Sequence, residues 1–567
     1  MSHLNVIARD LNVPQNQKMN ERQVENNAGG FVYKTSDLSR LERFIVLGSD
    51  GGTYYTNEKE LTLDNARHAL DMISRDGLSV VRVVVEISLA GRAPKQDTGI
   101  FVLALCAAYG NEATRTAALA ALPRVCRTHR TLFTFLNFVE QHRGWGRGLR
   151  KAVANWYLSK DVEQMAFQML KYRQGQFPRK SGQDRVWNAR NILRVSHPLV
   201  NEDDNARRAL IDWAKGKPDM IAVASHDSLA LVTAFEEAWN GDVSDARKIE
   251  LCGVLTHEMI PDAWKRDRNV WEALLANMLP EAMLRSLAVM TRVGLLEPRS
   301  AAAKFAAERL TNAELVRSKR LHPAKFLTAL GIYSAGGEGG RSKAAPFIPV
   351  PEIVEALDAG FYLAFPNVEP AGKRNFIGLD VSGSMGSPSA AFGVTCKDAA
   401  AAMALVQVAT EPHVEMYGFS AAGSGRAYGG RFGGGESGMT PIPAKAGHRI
   451  ADVKRLMDKI PMGGTDCSLP MLFALKHDLK VDTFQIYTDN ETWAGAIHPM
   501  KALQMYRDKS GIPAKIVVCA LTATGFSIAD PEDAGSLDVV GFDANVPDLI
   551  SDFSRGATAP ENPINRN

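Results

Sequence analysis

The sequence is poor in cysteine. Six of its 567 residues are Cys (Cys106, Cys126, Cys252, Cys396, Cys467 and Cys519), and no two have the C-x-x-C spacing of a zinc or redox motif. Scattered thiols fit a reducing compartment, and a chain of this length buries enough core to fold without cross-links. Long hydrophobic runs are missing as well. The most apolar stretch, Gly99–Gly110, has 12 residues, whereas a membrane-spanning helix needs about 20. Met1–Asn20 carries Arg9, Asp10 and Lys18 and holds no apolar signal core. A cytoplasmic location without a membrane partner is therefore expected. A surplus of charge is also missing: 66 Lys+Arg against 63 Asp+Glu leave a net of +3. Any footprint for a polyanion must then be local.

The usual catalytic signatures are absent too. There is no G-x-x-x-x-G-K-[ST] loop and no G-x-S-x-G elbow. His257-Glu258 begins an H-E-x-x-H pattern, but Pro261 stands where the second histidine belongs. A proline there also opposes the continuous helix that this zinc motif requires. With no nucleophile–base pair legible, the expectation is a binding protein and not an enzyme.

What is present falls into two styles. From Ser36 to Leu357 apolar residues recur at helical spacing, as in Asn65–Ser74, Thr114–Cys126, Leu149–Leu158, Val162–Tyr172, Val270–Met283 and Arg299–Leu310. Beyond a joint holding Pro346, Pro349 and Pro351, short apolar runs alternate with helical stretches. The runs are Phe376–Asp380, Val414–Phe419, Phe484–Thr488 and Ile516–Leu521; the helical stretches are Asp398–Thr410, Ile450–Ile460, Pro470–Asp478 and Pro499–Lys509. Buried strands alternating with helices predict a doubly wound α/β domain with a parallel sheet. The fold class is thus multidomain, stacked α-helices followed by α/β. The expected boundaries are a flexible start over 1–20, a helical domain over 21–362, an α/β domain over 363–555 and a flexible tail over 556–567. The Gly-rich stretch 421–440, with Arg426, Tyr428, Arg431 and Phe432, reads as an inserted loop.

The first α/β strand runs into D-V-S-G-S, placing Asp380, Ser382 and Ser384 at its carboxyl end. Thr465 in G-G-T-D and Asp489 in T-D-N stand on two further loops of the same alternation. Ligands of open α/β sheets bind at that edge. Carboxylate and hydroxyl oxygens suit a hard divalent cation, Mg²⁺ above all. A tight turn in which the serines bond local backbone is the bland alternative. The set resembles the metal-ion-dependent adhesion site (MIDAS) of von Willebrand factor A-like domains. That resemblance implies an ion with one position left for a partner's carboxylate.

Charge is concentrated in Ala121–Val200, with 15 Lys+Arg against 4 Asp+Glu, a local net of +11. The remaining residues therefore carry −8. Arg147, Arg150, Lys151, Lys171, Arg173, Arg179, Lys180, Arg190 and Arg194 are candidate phosphate contacts, with aromatics such as Trp145, Trp156, Tyr172 and Trp187 interleaved. A solvated basic face with Trp156 in the core is the plainer reading. No DNA-reading motif is present, and dispersed arginines on helices suit RNA over DNA.

Together these residues resemble the Ro autoantigen family, RNA-binding proteins with a TROVE module followed by a von Willebrand factor A-like domain. The likeness, of bacterial or phage type, covers nearly the whole chain. It rests on segments such as Leu41–Tyr55, Leu132–Phe135, Trp145–Tyr157, L-R-V-S-H (Leu193–His197), Gly463–Met471, Thr488–Gly495 and Gly525–Pro531. The resemblance implies a monomeric ring of HEAT-like helical repeats. It implies binding of a Y-like noncoding RNA outside the ring. It also implies threading of the single-stranded 3′ end of misfolded or structured RNA into the hole, for RNA quality control and stress response. A 3′ exonuclease or another protein would dock through the metal site. The family's Y RNA contacts fall on Lys171, Tyr172, Arg173 and His197, with Arg194 close by. The chain departs from the pattern at Gly175, and Gln176–Gln183 reads as an insertion bearing Arg179 and Lys180. The competing class is a metal-dependent protein-binding scaffold with no RNA role.

Overall fold

Capping side chains mark where the helices of the first half begin. Asn111, Thr128, Asp161, Asn188, Asp204, Ser244, Ser300 and Asn312 each accept a hydrogen bond from a backbone N–H in the first turn of the helix that follows. Each cap is worth about 1 kcal/mol. The computed structural model describes residues 13–34, 37–47, 66–93, 96–173, 176–178, 186–217, 219–336, 345–364, 370–386, 395–421, 438–445, 447–522, 526–540 and 546–556. The chain divides into two compact units: 69–90 with 99–364, and 1–68 with 91–98 and 365–567.

The first of these units is built of helices. The apolar run singled out in the sequence lies in the helix Asp97–Tyr109, where Ile100 to Cys106 are at most 1% exposed. A helix apolar on every side must be buried on every side, and this one is a core element. Helix Arg147–Leu158 packs on Ala189–Ser196, and Val162–Lys171 on Asn205–Ala214 and Ala230–Asn240. Near the end of the unit, Arg320 donates to the carbonyl of Leu89, bringing the chain back to the end of the helix Arg67–Ala90. Two expected helices are each divided in two. Val270–Met283 becomes Arg268–Asn277 and Pro280–Arg292, with Met278 and Leu279 extended between them. Pro280 pushes its predecessor out of the helical region and starts the next helix itself. Thr114–Cys126 becomes Glu112–Ala120 and Leu122–Val125, with Pro123 second in the latter and Ala121 between them still at helical dihedrals (φ −75°, ψ −12°). An unexpected antiparallel pair, Gln176–Pro178 with Val186–Trp187, flanks residues 179–185.

The other unit holds a six-stranded sheet. Its order is Ser536–Val540, Lys515–Ala520, Thr483–Thr488, Arg374–Asp380, His413–Phe419 and Met439–Pro441. The first five strands are parallel and the last is antiparallel. Thr483–Thr488 is buried throughout, and so is Arg374–Asp380 beyond its first residue, as strands covered on both faces must be. The strand Arg374–Asp380 lies between Thr483–Thr488 and His413–Phe419, so the strand order reverses there and a crevice opens at its carboxyl end. A second, antiparallel sheet joins Gln23–Glu25, Phe31–Lys34 and Phe526–Ser527. Residues from 13 onward thus pack with the C-terminal half, whereas the sequence boundaries put 1–20 in a flexible start and 21–34 in the helical domain. The physical reason is a polar seam that begins at the fully buried Gln15. Residues 422–437 of the Gly-rich stretch and the tail 557–567 lie outside the described residues.

Candidate functional site

At the reversal point of the sheet, the strand Arg374–Asp380 ends on a carboxylate that is wholly buried. Asp380 Oδ1 accepts the N–H of Ser382 at 2.9 Å, and Oδ2 accepts the hydroxyl of Thr488 at 2.8 Å. The hydroxyls of Ser382 and Ser384 are 3.1 Å apart, both buried. Asp489, one residue past the neighbouring strand, accepts the N–H of Glu491 at 3.1 Å through Oδ1. Its Oδ2 is buried with no hydrogen-bond partner among the described residues. Thr465 is buried on the third loop, where its carbonyl accepts the N–H groups of Trp493 and Ala494.

The electrostatics of this cluster are unfavourable as they stand. Burial, and then the negative charge of Asp489, hold the Asp380 carboxyl well above the usual carboxylate range. Burial raises Asp489 as well, although the Ser384 hydroxyl favours its charged form. Glu491 is pushed up to about 7 by burial, and Asp466 is raised for the same reason. Buried carboxylates of like charge strain against one another unless protonated or neutralised by a cation. Among the described residues no cluster of three or more His, Cys, Asp or Glu could hold an ion. A cation here would depend on hydroxyls beside Asp380 and Asp489. The orphaned Oδ2 of Asp489 and the facing serine hydroxyls fit a hard ion with oxygen ligands. Thr488, Asp466 and Glu491 belong to this site and were not singled out in the sequence. Their signal was their position inside the same G-G-T-D-C-S and T-D-N-E-T runs.

The basic residues lie in the helical unit. On the helix Arg147–Leu158 the apolar face (Leu149, Val153, Trp156, Tyr157) is buried, and Arg147, Arg150 and Lys151 are exposed. Arg190 and Arg194 are exposed on the short helix Ala189–Ser196, and Arg194 donates to the carbonyl of Lys215 at 3.1 Å. His197 ends that helix in the left-handed conformation, with φ 47°, and is exposed. Arg147, Arg150, Lys151, Arg190 and Arg194 form no ion pair with a carboxylate among the described residues. Arg173 is exposed, its guanidinium 4.8 Å from the centre of the Phe235 ring. It also lines a cavity of about 380 Å³ together with Asn188, Arg190, Trp213, Gly216 and Glu236. Lys171 and Tyr172, at the end of the helix Val162–Lys171, are half-buried. Lys171 is not a free cation, since its Nζ pairs with Glu258 at 3.2 Å. Glu258 in turn meets His257 Nδ1 at 3.2 Å. Arg179 and Lys180 lie outside the described residues.

The aromatics of the basic stretch divide. Trp156, Tyr157 and Trp187 are fully buried, and Trp156 donates its ring N–H to the carbonyl of Cys126. These three are core and cannot stack on a base. Trp145 leans on Trp187 with ring centres 5.6 Å apart.

Comparison with known proteins agrees with a helical part followed by an α/β domain. The family model described as TROVE domain matches residues 24–223 and 218–337, and the model described as Ro60 vWA domain matches 374–554. A protein of Deinococcus radiodurans called RNA-binding protein RO60 is 39% identical over 96% of this chain and 98% of its own length. One of the same name from Caenorhabditis elegans is 33% identical over 96% of this chain and 91% of its own. The crystal structure of the Deinococcus radiodurans RO (RSR) protein superposes with a TM-score of 0.66 at 37% identity, covering 92% of this chain and all of that one. With both domain models matched in order and relatives aligned almost end to end, the chain belongs to the Ro60 family, a TROVE domain followed by a Ro60 vWA domain.

Proposed function

We propose that this protein binds RNA through the cations of its helical unit and holds a divalent ion, Mg²⁺ by preference, in its α/β unit. The observation that carries the RNA reading is the set of exposed cations without carboxylate partners among the described residues: Arg147, Arg150, Lys151, Arg190 and Arg194. Relatives named RNA-binding protein RO60 support it. Phosphates displace condensed counterions on meeting such side chains, and that release drives association. Arg173 and Tyr172 add planar groups against which an unpaired base can stack. The ligands in this reading are a Y-like noncoding RNA and misfolded or structured RNA with a single-stranded 3′ end. The role is RNA quality control and stress response in the cytoplasm, performed by binding and not by catalysis. Asp380, Ser382, Ser384, Thr465 and Asp489 would hold the ion, whose charge offsets the repulsion between the two carboxylates. A protein partner, such as a 3′ exonuclease, would bring a carboxylate to that site.

The test is an RNA titration at several salt concentrations. If about 6 phosphates are met, the slope of log affinity against log salt is about −4 to −5. Replacing Arg147, Arg150 and Lys151 with alanine should flatten that slope by about 2 to 3 and leave the melting curve in place. An unaltered slope in the folded variant would remove this face from RNA binding.

A further inference from the structure

The segment from residue 13 to residue 34 is fastened by buried and partly buried hydrogen bonds to the two loops that carry Thr465 and Asp489. Gln15 is fully buried. Its Nε2 donates to Asp466 Oδ1 at 2.7 Å and to the carbonyl of Ile497 at 2.8 Å, and its Oε1 accepts the hydroxyl of Thr492. One side chain therefore ties the residue after Thr465 to a residue three beyond Asp489. Asn26 adds a bond to the carbonyl of Thr492 at 2.8 Å. Glu491 is gripped from the same side, by Asn27 Nδ2 at 2.7 Å and by the N–H of Ala28 at 3.2 Å.

Two glycines show how closely these parts meet. A Cβ at Gly30 would stand 1.8 Å from the carbonyl oxygen of Thr492, and one at Gly495 would stand 2.2 Å from Gln15 Nε2. Apolar packing would hold a segment down but would let it slide. A satisfied buried polar network fixes one geometry, because any shift leaves desolvated groups without partners.

The geometry points to a role for the 13–34 segment as a clamp that sets the spacing of the metal loops, with Gln15, Asn26 and Asn27 as positioning residues. This inference rests on the divalent-ion reading of Asp380, Ser382, Ser384, Thr465 and Asp489. By linkage the effect is reciprocal: the clamp raises the affinity for the ion, and the ion tightens the clamp.

The experiment uses the full chain and Mg²⁺ alone, following the melting temperature across a Mg²⁺ titration, with the midpoint taken as the dissociation constant fitted to the mass-action rise. Gln15→Ala should move the midpoint to about five- to ten-fold higher Mg²⁺, and Asn27→Ala, at an exposed position, about two-fold or more in the same direction. Asp380→Ala should show no Mg²⁺ response. Mg²⁺ should also slow amide exchange over residues 23–34 in the wild type, and less so in the variants. A loss that was merely structural would lower the metal-free melting temperature and leave the midpoint alone. If Gln15→Ala does not fold, Asn27→Ala and the exchange measurement decide. A wild-type response with unchanged midpoints in both variants, or unchanged exchange, overturns the clamp while the ion site stands. No wild-type response removes the ion site and the clamp with it.

Discussion

Glu258 shows how a single side chain alters what a basic stretch can do. Lys171 is among the residues that the family resemblance assigns to RNA, yet its ammonium already faces a carboxylate at 3.2 Å. A phosphate arriving at Lys171 must displace Glu258, which also faces His257. Burial lowers the His257 pKa, and the neighbouring Glu258 opposes that shift. Replacing Glu258 with glutamine keeps the shape, removes one negative charge and frees Lys171 for phosphate. RNA affinity at low salt should rise about three- to ten-fold, and the salt slope should steepen by about 1. Titration of the variant at two salt concentrations checks this. Weaker binding would mean instead that Glu258 holds Lys171 in its working position. None of this is legible in the sequence, where Lys171 and Glu258 stand far apart and the local count records only a surplus of positive charge.

Elements were legible where their pattern is long and local. The strands ending at Asp380 and Thr488 announce themselves as apolar runs, and the helices Arg147–Leu158 and Val162–Lys171 as apolar residues at helical spacing. Met439–Pro441 and Phe526–Ser527 are too short to show a period, and both depend on distant partners. The seam between the helices His129–His142 and Arg147–Leu158 was half legible. Trp156 reads as core from its spacing, but nothing local reports that His129 is buried against it. His129 Nε2 lies 2.9 Å from the Tyr157 hydroxyl, and burial pushes its pKa down to about 3. The folded-state value thus lies below the unfolded value of about 6.5. The neutral ring's contribution is complete above about pH 6.5 and is lost as pH falls from there towards 3. The raised carboxyls of Asp380, Asp489, Asp466 and Glu491, the last at about 7, work in the opposite sense, so the whole-protein curve mixes these effects. The difference between wild type and His129→Gln isolates the histidine. The wild type should lose stability relative to the variant by up to about 1.4 kcal/mol per pH unit below pH 6. Denaturant midpoints at pH 7, 6 and 5 measure it, and a constant difference would mean that the ring is protonated in the fold.

At the scale of the whole molecule, the two candidate sites draw on different parts of the chain. The exposed cations belong to residues 69–90 and 99–364, and the candidate oxygen ligands to the unit that contains 365–567. The sequence already separated them, because charge density and strand–helix alternation are both local properties. It could not show that residues from Gln15 onward reach the second site, since that link is a hydrogen bond across 451 positions. This partition predicts separable chemistry. Removing divalent ions with EDTA should leave the RNA titration of the full chain unchanged within about two-fold at constant ionic strength, because the proposed phosphate contacts are Arg and Lys side chains and need no ion. The same treatment should lower the melting temperature, because an ion that binds only the folded state stabilises it by mass action. Asp380→Ala should abolish that Mg²⁺-dependent gain and still bind RNA. If EDTA abolishes RNA binding while the protein stays folded, the ion takes part in RNA recognition and the two sites work as one. If Mg²⁺ leaves both melting curves where they were, Asp380, Ser382 and Ser384 form a hydrogen-bonded turn and nothing more.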